Sequence, residues 1–141
     1  MQTETGVTVG KTVPQFTLDG IDGKSISVGA KGKTYVLNFW ATWCPPCRDE
    51  IPELDKFALK HRNDIQFYAI NIEEESKEVA DFLKSNNYTF PVLIDKDGAV
   101  AETFHVTAIP TTLVVDSQGI IRYRTTGGVT GEELEKVIKG L

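Results

Sequence analysis

Two cysteines, Cys44 and Cys47, stand in the segment Trp43-Cys44-Pro45-Pro46-Cys47, and the 141-residue chain has no others. A framework disulfide joins distant segments, because closing a longer loop constrains the unfolded chain more. A pair separated by two residues closes almost no loop, so the spacing argues for redox or metal work. A metal site needs about four ligands. Beyond the cysteines only His61 and His105 offer soft nitrogen, at unrelated spacings. Neither a metal nor any other cofactor is expected. A cysteine peroxidase would carry a Thr three residues before its nucleophile, where this chain has Ala41. Reversible dithiol–disulfide exchange is the chemistry that this spacing serves best.

The flanking residues assign the two sulfurs different tasks. An apolar, strand-like run ends at Trp40 and a helical pattern begins at Pro45, so Cys44 falls at an exposed helix start. There the unpaired N–H groups and the macrodipole stabilise a thiolate. Cys44 is therefore the expected nucleophile, and Cys47, one turn further in and less exposed, the expected resolving thiol. Pro45 and Pro46 occupy the first turn, where a missing N–H costs little, and they stiffen it. Trp43 adjoins the nucleophile and is expected to line a substrate groove, whereas Trp40 is expected in the core. Pro110 has two readings, an ordinary proline that opens a strand or a cis-proline.

These residues need elements to hold them. Phe16 and Leu18 alternate with polar neighbours, Asp19 to Gly23 is rich in turn residues, and Ser25-Ile26-Ser27-Val28 alternates again. This predicts a β-hairpin. Tyr35 to Trp40 is β-branched, aromatic and almost wholly apolar, which predicts a central strand covered on both faces. From Pro45 to about His61, Ile51, Leu54, Phe57 and Ala58 recur at helical spacing. Pro52 lies inside that helix and is expected to kink it. Strands are predicted over Ile65 to Ile72, Pro91 to Ile94, Thr111 to Val115 and Ile120 to Tyr123. Helices are predicted over Ser76 to Asn86 and Gly131 to Ile138, and Asp95 to Gly98 reads as a turn. The order predicts an α/β fold, a mixed sheet with helices on both faces. One domain over residues 13–141 is expected, after a small, polar, flexible segment over 1–12.

Composition narrows the partners. The formal net charge is −5 and no stretch concentrates basic residues among aromatics, so nucleic acid is not an expected partner. No run approaches the roughly 20 apolar residues of a membrane helix, and Met1 to Thr5 lacks signal-peptide features.

Phe39-Trp40-Ala41-Thr42-Trp43-Cys44-Pro45-Pro46-Cys47, Pro52 and Ala108-Ile109-Pro110-Thr111-Thr112 resemble the active-site strand, helix kink and cis-proline loop of the thioredoxin superfamily. Within it, Leu37 to Cys44, Glu50, the N-terminal hairpin and the extra segment between Ile72 and Phe90 resemble the ResA/TlpA branch. The resemblance implies a thioredoxin-like mixed central sheet with an N-terminal β-hairpin and an insertion after the second βα strand. It implies an extracytoplasmic, membrane-anchored thiol-disulfide reductant whose anchor or signal lies outside this sequence. Such proteins act on disulfide-containing protein substrates, apocytochrome c among them, in cytochrome c maturation or related spore-coat and cell-wall steps. A membrane thiol-disulfide protein as electron donor and a monomeric state are the matching expectations. Pro110 would then be a cis-proline packed on the disulfide, leaving the Ile109 backbone free to pair with a substrate strand.

One departure matters. Thioredoxins carry a buried Asp in the active-site strand, and the matching residue here is Asn38, which takes no proton. Glu50, three residues after Cys47 on the same helical face, resembles the branch's active-site Glu and is close enough to handle that thiol's proton. The plainer reading is an acidic residue complementing the helix dipole, as Asp49 beside it would. Glu73-Glu74-Glu75 reads as a solvated helix entry. The rival to an enzyme is a redox-switched binding module, which would not turn over a test disulfide.

Overall fold

The alternation of side chains along one strand organises both halves of the core. The computed structural model describes residues 4–141, and its third strand, β3 (Thr34–Trp40), is buried almost throughout. Tyr35, Leu37 and Phe39 point to one face of the sheet, and Val36, Asn38 and Trp40 to the other. The first set joins Ile70, Leu93, Phe104 and Leu113. Val36 and Trp40 join Ile51, Leu54, Phe57, Phe67 and Phe90. Asn38 is thus a polar group on an otherwise apolar face, turned toward the helix that carries the cysteines.

A seven-stranded sheet surrounds β3. The remaining strands are β1 (Phe16–Gly20), β2 (Ser25–Val28), β4 (Ile65–Ile72), β5 (Val92–Asp95), β6 (Thr111–Val115) and β7 (Ile121–Thr126). Their spatial order is β2-β1-β5-β4-β3-β6-β7. Strands β3, β4 and β5 run parallel, while β6 and β7 on one side and β1 and β2 on the other pair antiparallel. The sheet is mixed because the β3–β4 and β4–β5 connections pass through helices, whereas hairpins close the edges. Helices α1 (Pro45–Lys60), α2 (Ser76–Asn86) and α4 (Gly131–Lys139) bury Leu54, Val79 and Leu134 on the Trp40 side, and α3 (Ala99–Thr103) buries Val100 and Ala101 on the Phe39 side. This is a thioredoxin-like architecture with the expected N-terminal hairpin.

Three local differences from the sequence reading have physical causes. Residues 99–103 form a short helix that periodicity did not mark. Its start is set by tertiary chemistry, because the buried Asp95 carboxylate accepts from the N–H groups of Val100 (3.1 Å) and Ala101 (2.8 Å). Strand β7 extends to Thr126, beyond the apolar run, since Thr126 and Thr125 pair with Thr111 and Thr112 at the ladder's end. Within the segment expected to be flexible, residues 4–12 lie against the β6–β7 turn and the start of β7. Gly10 N–H donates to Ile121 O (2.8 Å) and Arg124 Nη1 to Val7 O (3.0 Å). Residues 1–3 of that segment lie outside the described residues.

Candidate active site

Helix α1 begins at the redox pair. Cys44 is its N-cap, with extended backbone, and Pro45 and Pro46 are the first two helical residues. Neither proline removes a needed donor there. Cys44 Sγ receives the N–H of Cys47 at 3.3 Å, as a capping side chain does, and is joined to Cys47 in a disulfide. The arrangement points the helix's positive end at Cys44 Sγ, a setting that favours a thiolate over a thiol.

Cys44 was expected at an exposed helix start, and here the structure corrects the sequence reading: Cys44 is 3% exposed and Cys47 0%. Burial follows from the capping geometry, which turns Sγ inward, and from the loop before β6, whose Ile109 carbonyl oxygen lies 3.7 Å from it. The exposed surface around the sulfur belongs to its neighbours. Trp43 is 68% exposed, Pro45 and Pro46 are exposed, and Ile109 is half-buried. The Ile109–Pro110 peptide bond is cis and Pro110 is buried. Thr111 Oγ1 donates to Ala108 O (2.7 Å) and Gly127 N–H to Pro110 O (2.8 Å), so both ends of this loop are held. A shallow groove runs from Trp43 past Ile109, Ala108 and Val106 to α3. A peptide bearing a disulfide could lie there with its backbone against Ile109.

Behind the disulfide lies a buried polar cluster. Glu50 is 6% exposed, one turn beyond Cys47 on the buried side of α1. Its Oε1 accepts from Asn38 Nδ2 (2.8 Å) and its Oε2 from the Val129 N–H (2.8 Å). Asn38 Nδ2 also donates to Thr112 Oγ1 at 2.9 Å, a contact set by the β3–β6 register that pairs Asn38 with Thr112. Burial raises the Glu50 carboxyl above its ordinary range, and the hydrogen bonds from Asn38 and Val129 pull it part of the way back. A carboxylate offers about four lone-pair positions, so two bonds still leave it able to take a proton. Glu50 is therefore no surface complement to the helix dipole. The position that thioredoxins fill with an acid is filled by an amide that orients an acid delivered from α1.

The sequence reading named Cys44, Cys47, Glu50, Trp43, Pro45, Pro46, Ile109 and Pro110, and the fold brings all of them to one end of β3 and β6. It missed Thr112 and Val129, which act through an ordinary hydroxyl and a backbone N–H and carry no motif. It also misread Glu74. That residue is not a solvated helix entry, because its carboxylate receives the Thr42 N–H (2.7 Å), the Thr42 hydroxyl and Asn71 Nδ2 (2.9 Å).

A mixed sheet with a disulfide capping the helix after its central strand, faced by the loop before β6, defines a thioredoxin-like thiol-disulfide protein. The Redoxin family model matches residues 8–139, and the chain belongs to that family. It is 38% identical over 137 residues to the "Thioredoxin-like protein YneN" of Bacillus subtilis (strain 168), covering 94% of this chain and 80% of the relative. It is 35% identical over 133 residues to "Thiol-disulfide oxidoreductase ResA" of Bacillus thuringiensis subsp. konkukian (strain 97-27), covering 93% and 77%. The solved pneumococcal exposed lipoprotein thioredoxin of Streptococcus pneumoniae strain TIGR4 superposes with a TM-score of 0.80 at 28% identity, covering 91% of this chain and all of that one. With such relatives and this Cys44–Cys47 pair, the chain is a thiol-disulfide oxidoreductase acting on disulfide-containing substrates.

Proposed function

We propose that the enzyme is an extracytoplasmic reductant of protein disulfides, with Cys44 as nucleophile, Cys47 as resolving thiol and Glu50 as the group that handles the Cys47 proton. The observation that carries the reading is the position of Cys44 Sγ, at the N-cap, 3.3 Å from the Cys47 N–H and 3.7 Å from the Ile109 carbonyl. The Cys44 thiolate attacks one sulfur of the substrate disulfide, forming a mixed disulfide and expelling one substrate thiolate. Cys47 passes its proton to Glu50, directly or through water, and its thiolate attacks Cys44 Sγ. The Cys44–Cys47 disulfide closes and the second substrate thiolate leaves, so the substrate gains two electrons and the enzyme loses two. Trp43, Pro45, Pro46 and Ile109 form the surface on which the substrate segment lies, and the buried cis-Pro110 shapes the loop that presents the Ile109 backbone to it.

The proposed cellular role draws on the names of two relatives. One is named ResA and another, a solved structure, is described as an exposed lipoprotein. The exposed lipoprotein supports a place of work outside the cytoplasm; a monomeric state, recharging by a membrane thiol-disulfide donor, and apocytochrome c or another extracytoplasmic protein as substrate are further parts of the proposal. Fractionating cells that express the full gene product tests the compartment, and recovery only in the cytosol would end that part of the proposal.

The chemistry has its own test. Limiting iodoacetamide on reduced protein should label Cys44 before Cys47, and a Cys47→Ser variant should retain substrate proteins as mixed disulfides on Cys44. Preferential labelling of Cys47 would reverse the two roles. Wild-type protein supplied with dithiol should reduce a test disulfide over many turnovers.

A further inference from the structure

We propose that Glu74 is a positioning residue of the redox centre: its carboxylate, reaching across from the loop between β4 and α2, holds the turn that presents Cys44. The proposal rests on the reading of Cys44 as the attacking thiol.

Glu74 makes no contribution that its own element asks for. The N-cap of α2 is Glu75, whose side chain makes no capping hydrogen bond, and the acidic residue in the first turn is Glu78. Instead, both Glu74 oxygens face a segment 32 residues away in sequence: Oε1 takes the Thr42 N–H at 2.7 Å and Oε2 takes the Thr42 hydroxyl. Asn71, fully buried at the end of β4, adds a third donor to Oε1 at 2.9 Å. The local backbone is built to allow this reach. Glu73 adopts the left-handed region at φ 57°, costly for a residue with a Cβ. Its N–H is bonded to Asp95 O at 2.9 Å, which helps to hold the chain as it leaves β4.

Thr42 lies two residues before Cys44, inside the turn closed by the Cys44 N–H on Ala41 O (3.3 Å). That turn has no regular-structure partner for the Thr42 N–H. Glu74 supplies one, and with the hydroxyl it fixes both the backbone and the side chain of Thr42. The turn in turn sets where Cys44 Sγ sits relative to the Cys47 N–H and Ile109 O. Charge-assisted hydrogen bonds are the stronger kind, and misplacement of a reacting atom by about 1 Å can cost up to about a hundredfold in rate.

Position and charge make opposite predictions across three substitutions. Glu74→Gln keeps the reach and an oxygen able to accept from Thr42 N and Asn71, while its amide can donate to the Thr42 hydroxyl. Glu74→Asp keeps the charge and shortens the reach. Glu74→Ala loses both. The measurements are the rate of disulfide exchange and the pH profile of iodoacetamide labelling, with the alkylated cysteine identified by mass spectrometry. Positioning predicts Glu74→Gln within about threefold of wild type, and Glu74→Asp and Glu74→Ala slowed roughly tenfold. It also predicts that the labelling midpoint rises in the Asp and Ala variants, since the thiolate is held less well by the Cys47 N–H. A charge effect predicts the reverse, with Asp like wild type and the midpoint lowered alike in Gln and Ala. That pattern, or three variants indistinguishable from wild type, overturns the proposal. If Glu74→Ala does not fold, the Gln–Asp contrast decides alone. Labelling that maps to Cys47 refutes the assignment of Cys44 instead, a result separate from the order of the three variants.

Discussion

Two carboxylates converge on this redox centre from different elements, and their surroundings give them different tasks. Glu74 is half-buried and satisfied by three donors, a structural clamp. Glu50 is buried with two donors, and burial raises its pKa, so it holds a proton to higher pH than an ordinary carboxylate does. Glu50→Gln should slow disulfide exchange by roughly 10- to 100-fold, the low end of a general acid–base contribution. It should also simplify the Cys44 titration, because an ionised Glu50 opposes thiolate formation and couples the two groups. Thermal stability should change little. The amide loses a charge-assisted bond but also sheds the cost of a buried charge, and Asn38 can rotate its own amide to pair with it. Stopped-flow exchange rates and the titration of Cys44 alkylation decide this. An unchanged rate and titration would return the proton transfer to solvent.

At the scale of elements, the site depends on how helices dock on β3 and on the loops they end. Helix α4 opens with its N-cap Thr130, whose hydroxyl accepts the Glu133 N–H (3.1 Å) and donates to the Glu133 carboxylate (3.3 Å). Acidic Glu132 and Glu133 lie in its first turn and basic Lys136 and Lys139 in its last, as the helix dipole favours. Its one fully buried side chain, Leu134, belongs to the same apolar cluster as Leu54 and Phe57 of α1. Docking α4 there places the preceding Val129 N–H on Glu50. Leu134→Ala should therefore destabilise the protein by about 2–5 kcal/mol, the usual result of emptying a packed core position. Urea unfolding measures it, and a loss below about 1 kcal/mol would mean that α4 contributes little to the fold.

For the whole molecule, the buried acid makes stability depend on pH in a particular direction. Below the ordinary carboxylate range, Glu50 is protonated in both folded and unfolded chains. Between that range and its raised folded value, the unfolded chain has released the proton and the folded one retains it. The folded state binds more protons in this window, so stability falls as pH rises through it and the loss persists above. Glu135 acts in the opposite sense: hydrogen bonds from Lys60 and His61 lower its pKa, and its contribution fades on acidification. Subtracting the Glu50→Gln curve from the wild-type curve isolates the first effect. The stability of wild type relative to the variant should decline with rising pH across the mildly acidic range, read from urea midpoints at each pH. A flat or rising difference would show that the bonds from Asn38 and Val129 outweigh burial.

The chemistry of this protein was legible in the chain because it depends on short-range order. Two thiols two residues apart, prolines that enter a helix, and an apolar strand leading to them state a redox turn without reference to distant residues. The central strand, the amphipathic helices and the N-terminal hairpin were equally legible, since periods of 2 and 3.6 record which face each element buries. Tertiary structure decided what sequence separation hides. Asn38 and Thr112 stand 74 positions apart and meet through sheet register. Val129 offers only a backbone N–H, and Glu74 looked like any acid before a helix until its carboxylate was found on Thr42. Cys44 proved buried because the Ile109 loop, 65 residues away, closes over its sulfur. Periodicity reports burial within one element. Which donor faces which acceptor between elements is settled only when the sheet forms and the helices dock upon it.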